Sequence, residues 1–196
     1  MRFKKFLKED IQVFAPQDKL KAPKYKKIKI FNEGWQKIQL PPPPPELPEV
    51  DLVVAEIENA TPKDIEEYKN CDTDASYYIK KVLDRENLEY DNNVIEFIEE
   101  QCVPIIRHYK NHFNRPRPYQ VAAFHNIELK RFKTGTSKSP SYPSGHAVQP
   151  LMVAYHYANK YNSLRNELLK AARICGYGRV IAGSVSYTHL TLPTKA

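Results

Sequence analysis

Residues 91–113 constrain the fold more than any other stretch. Val94, Ile98, Cys102, Ile105 and Tyr109 recur at three- and four-residue steps, and Ile95, Ile106 and Phe113 widen the stripe. That period predicts a long amphipathic helix, with Asp91 placed to cap it. Pro104 lies inside the stripe and is expected to kink the helix or split it in two. A helix with one broad apolar face has to bury it against other elements, and the neighbouring stretches supply more helices.

Upstream, 52–57 leads into Asn59-Ala60-Thr61-Pro62. Thr61 is a good N-cap, Pro62 suits the first helical position, and Asp64 and Glu66 follow in the opening turn of a helix running to about Lys69. A second helix is expected from about Asp74 to Leu83. Downstream, Ser144-Gly145-His146 opens a helix whose buried face is Ala147, Val148, Leu151, Ala154, Tyr155 and Ala158, with Pro150 in its first turn. Ser163 is expected to cap a last helix through Leu164, Leu168, Ala171, Ala172 and Cys175 towards Arg179. The fold class is therefore all-α. Residues 119–142 read as a long connection, and long connections in compact domains are often functional.

The start of the chain differs in kind. Residues 1–40 hold eleven Lys/Arg against four Asp/Glu, so the whole formal charge of +7 belongs to this arm and the remainder is balanced. A solvated arm lying on the surface is the expectation, although the same charge suits contact with nucleic acid or an anionic surface. Lys26-Lys27-Ile28-Lys29-Ile30 alternates like a short edge strand, and Phe31 and Trp35 are expected to pin the arm down. Pro41 to Pro45 followed by Glu46-Leu47-Pro48 reads as extended polyproline, a stiff spacer. The division expected is an arm over 1–50, a helical domain over 51–183 and a tail over 184–196. No run is long and apolar enough for a membrane helix, and the basic start lacks the apolar segment of a signal peptide, so a cytoplasmic location is expected. Cys71, Cys102 and Cys175 show no metal-binding or paired spacing.

Chemistry gathers in three places. Lys110-x6-Arg117-Pro118 supplies a point charge and a planar fork. Pro143-Ser144-Gly145-His146 puts free N–H groups and an imidazole at a helix start. Arg179 adds a second fork. A phosphate monoester needs fixed positive charge and N–H donors round its equatorial oxygens, and an acid for its leaving oxygen. Arg117 and Arg179 can each grip two oxygens, Lys110 adds charge, Ser144 and Gly145 lie where a helix dipole favours an anion, and His146 can protonate an alkoxide. Taken singly, a lysine near a helix end, an Arg-Pro-Arg-Pro loop and a histidine at a helix start each have ordinary structural explanations. Their order and spacing set them apart.

These three elements resemble the signature of the type 2 phosphatidic acid phosphatase superfamily, which includes class A bacterial acid phosphatases and vanadium-dependent haloperoxidases. The likeness covers roughly residues 41–183, including the proline run. It implies a helical bundle and metal-free phosphomonoester hydrolysis of a small phosphorylated substrate. It assigns phosphate binding to Lys110, Arg117, Ser144, Gly145 and Arg179, and the role of general acid to His146. It also implies a histidine nucleophile in a third motif, Arg-x5-His-x3-Asp, forming a phosphohistidine. Counted from Arg179, those two positions hold Val185 and His189. The tail 184–196 departs from the family pattern and from any helical period. It is expected to be foreign or divergent, the domain truncated, and the chain inactive as it stands. Two alternatives come with this reading: a haloperoxidase holding vanadate as cofactor in the same pocket, and a non-catalytic anion-binding or interaction protein using the basic arm. An integral lipid phosphatase is disfavoured by charges such as Glu96, Glu99, Glu100, Arg165 and Lys170.

Overall fold

The computed structural model describes residues 34–132, 134, 137 and 139–186. The expected strand at 26–30, Phe31 and His189 lie outside them. The described residues are helical and contain no strand. A 3-10 turn at Trp35–Lys37 precedes α1 (Glu46–Glu58), α2 (Pro62–Thr73), α3 (Tyr77–Arg85), α4 (Asn92–Phe113), α5 (Pro118–Phe124), α6 (Gly145–Lys160), a 3-10 turn at Asn162–Leu164, and α7 (Arg165–Ile181). None of these helices is long and apolar enough to cross a membrane.

Helix α7 is the hub. It packs along α6 and α2 and also meets α1 and α3, while α4 lies against α6. The main core joins Ile79 and Leu83 of α3, Ile95 and Ile98 of α4, Val153 and Tyr157 of α6, and Leu168 and Ala172 of α7. The α2–α7 seam is close: a Cβ on Gly178 would stand 3.0 Å from the Tyr68 Cα. A smaller cluster of Val50, Val121 and Ala122 joins α1 to α5.

The local signals at two helix starts hold. Thr61 and Asp64 form a reciprocal capping box, with the Thr61 N–H donating to Asp64 Oδ2 at 2.8 Å, and Asp91 Oδ1 accepts from the Asn93 N–H at 2.8 Å. Several expectations are corrected. Glu46-Leu47-Pro48 is the first turn of α1, not polyproline, because a proline there forfeits no intrahelical hydrogen bond. Helix α4 is one helix through Pro104 and is not split in two. Residues 118–124, expected within a connection, form α5, with Pro118 at the first helical position and Gln120 Oε1 accepting from the Arg117 N–H at 2.9 Å. Helix α3 starts at Tyr77, after Asp74 Oδ1 has accepted from the Ser76 N–H. Pro150 sits in the second turn of α6, so the His146 carbonyl loses the partner an ordinary residue 150 would offer. Ser163 falls inside the second 3-10 turn, and Leu164 occupies the N-cap of α7.

The segment before α1 is clipped to the domain at four points. The Trp35 ring stands edge-on to His108 at 5.3 Å. The Tyr109 hydroxyl donates to the carbonyls of Trp35 (3.1 Å) and Ile38 (2.5 Å), and the Tyr142 hydroxyl to that of Pro41 (3.0 Å). Arg115 donates to the Pro44 carbonyl and pairs with Glu49 at 2.6 Å, both side chains being buried.

A buried cluster of cations

Lys110 ends up inside because it lies on the inward side of the last turn of α4, next to buried Ile106 and Tyr109. Its ammonium donates to the Pro140 carbonyl. Arg117 occupies the N-cap of α5 in an extended conformation, held between Pro116 and Pro118, both buried. Its Nε donates to the Ser139 carbonyl and its Nη1 to the Ser184 carbonyl, each at 2.8 Å. The loop carrying those acceptors is stitched to the same segment: the Ser141 N–H donates to the Arg115 carbonyl at 2.9 Å and its hydroxyl to that of Pro116 at 2.7 Å.

Arg179, in the last turn of α7, donates from Nη1 to Asp72 of α2 and from Nη2 to Thr134 Oγ1 at 2.8 Å. The Thr134 hydroxyl in turn donates to Asp72 Oδ1 at 2.9 Å. The Arg179 guanidinium carbon lies 5.8 Å from the Tyr68 ring centroid. Lys110, Arg117 and Arg179 are all at least nine-tenths buried.

His146 is the second residue of α6. Burial, followed by the charges of Arg179, Arg117 and Lys110, pushes its imidazole down to about 3, against a smaller upward pull from Asp72. All three expected cations therefore bear on the expected acid. Lys110 is itself held well below the ordinary lysine range by burial and by Arg117 and Arg179, and Arg117 is lowered to about 10, mainly by burial. Ser144 is the buried N-cap of α6, and its side chain makes no capping bond to the first N–H groups of that helix. A Cβ on Gly145 would meet Gln149 Oε1 at 3.2 Å and stand at ordinary contact distance, 3.9 Å, from Ile106 Cδ1 of α4.

The six residues singled out by spacing thus come from three separated stretches and meet at the ends of α4, α5, α6 and α7. Sequence reasoning missed Asp72, Thr134 and the carbonyls of Ser139, Pro140 and Ser184. Thr134 and Ser139 lie in the connection flagged as functional. Nothing in the sequence ties Asp72 to Arg179, because that contact arises only when α2 lies along α7.

Helix α7 ends on Gly183 at φ +66°, with the Gly183 N–H donating to the Val180 carbonyl and the Ser184 N–H to that of Arg179. Leu129 Cδ2 would lie 2.8 Å from a Cβ there, so both conformation and space favour glycine. Val185 then turns into an apolar cluster with Val53 and Val180, edged by Ile57 and Leu129. No protein-family model matches the chain, and no curated protein matches it either.

Proposed function

We propose that this buried cluster holds the phosphate of a small phosphorylated molecule, in the manner of a metal-free phosphomonoester hydrolase of the acid phosphatase type, on a helical bundle of that kind. The observation carrying this reading is the charge balance of the buried cluster. Three cations converge, Asp72 is paired with Arg179 alone, and Lys110 and Arg117 are in no ion pair among the described residues. Buried charge of one sign is costly unless a counter-charge joins it, and a tetrahedral dianion beside the start of α6 supplies one. The forks of Arg117 and Arg179 would take its equatorial oxygens, with Lys110 adding charge. Asp72 and Thr134 hold the Arg179 fork in one orientation.

His146 would give its proton to the leaving oxygen. Lowered to about 3, it is neutral at pH 7. The arriving dianion offsets the three cations that depress it, so the substrate itself recruits the proton.

Covalent turnover needs a nucleophile in line with phosphorus, and Val185 has none to offer. The chain as given is therefore proposed to bind the oxyanion without efficient turnover, roughly a millionfold below an intact enzyme. Titration with orthophosphate and with vanadate tests this. Binding of both is expected, with Arg117→Lys, which keeps charge but loses the fork, at least about 10-fold weaker. Absence of binding by the unaltered chain overturns the phosphate reading. Hydrolysis of an aryl phosphate at a common enzymatic rate, about 10 per second, overturns the lack of turnover.

A further inference from the structure

Beyond the buried cluster stands a fourth cation. Arg131 lies in the connection after α5, and its side chain is exposed. Its guanidinium carbon sits 4.2 Å from the centroid of the Tyr119 ring. Two independent contacts tie it to the buried cluster. Tyr119 is the second residue of α5, two positions beyond Arg117. On the other side, Arg131 Cβ lies 3.2 Å from where a Cβ on Gly183 would be, and Gly183 adjoins Ser184, whose carbonyl accepts from Arg117 Nη1. The proximity is felt electrostatically, since Arg131 lowers the proton affinity of Arg117.

Stacking on a tyrosine face fixes the plane of a guanidinium while leaving its edge N–H groups free to bind an anion. Arg131 is in no ion pair among the described residues. The surrounding connection is basic as well, with Lys130, Lys133 and Lys138 against Glu128 alone over 128–138. An oriented cation thus stands on the exposed side of the Arg117 guanidinium, within electrostatic reach of it.

We propose that Arg131, braced by Tyr119, is a specificity-determining residue that reads a second phosphate of the ligand, favouring diphosphate-type molecules over those with a single phosphate. This rests on the phosphate reading above and extends it. It assigns Arg131 no part in bond making.

The test is equilibrium binding of inorganic pyrophosphate and of orthophosphate to the full chain, without divalent cations, in the unaltered protein and in Arg131→Ala. The unaltered protein is expected to prefer pyrophosphate. Arg131→Ala should cost roughly fivefold in pyrophosphate affinity, as befits one exposed charge contact, and leave orthophosphate within about twofold. Arg131→Glu should lower the ratio of the two affinities further. If orthophosphate binds but that ratio is the same in all three proteins, the second-phosphate role is overturned while the phosphate reading stands. If neither ligand binds the unaltered protein, both fall together.

Discussion

His146 shows how far a residue's chemistry is set by what surrounds it. Its neutral state follows from burial and three cations, so an anion entering the cluster must raise its proton affinity. The sign is definite. Between about 3, the value without ligand, and the higher value with ligand, the complex carries more protons than the free protein. Binding therefore tightens as pH falls through that interval. Sulfate, dianionic throughout, is the clean probe. Its affinity should rise from pH 7 towards pH 4, and His146→Gln should flatten the rise. A flat profile in the unaltered protein would show that the imidazole does not sense the ligand. Lys110, Arg117, His146 and Arg179 were legible in the sequence because their types and spacings fit one ligand. Asp72 was not, since one acid among several on a polar helix carries no mark of the arginine it will meet 107 positions later.

At the scale of elements, the sequence was most readable where local chemistry decides. Thr61-Pro62-x-Asp64 and Asp91 each announce a helix start through hydrogen bonds made within three residues. The misreadings cluster at prolines, for a shared reason. A proline tells where a hydrogen bond is missing but not whether one was needed: Pro48 and Pro118 fall in first turns, where none is, and Pro104 and Pro150 sit inside helices that continue past them. The seam between α2 and α7 was invisible beforehand, yet it places Asp72 against Arg179. Gly178→Ala tests it directly. The added methyl would press on the backbone of α2 at Tyr68, so a loss of about 1–3 kcal/mol is expected in chemical denaturation. Anion affinity should fall with it as Asp72 shifts. A variant as stable as the parent would mean that the seam can open without cost.

For the molecule as a whole, the buried Arg115–Glu49 pair is the long-range fastening. It joins the loop leaving α4 to α1 and, through the Pro44 carbonyl, to the proline run. Arg115→Ala leaves Glu49 buried with its main counter-charge gone, and should destabilise the fold by about 3–5 kcal/mol. Replacing both residues by apolar ones of similar size should cost far less. Equal losses in the two variants would make the pair's charge irrelevant. The same fastening steadies Pro116, Ser141 and the loop returning to Ser139 and Pro140, and there the backbone has a second use. The oxygens of Ser139, Pro140 and Ser184 accept from Lys110 and Arg117, and the proposed anion would have to compete with them. Occupancy is then an exchange of one set of oxygens for another rather than the filling of a vacuum. The measured affinity of any anion is the margin by which it outbids the protein's own carbonyls, and a ligand with weaker oxygens can find every cation already satisfied.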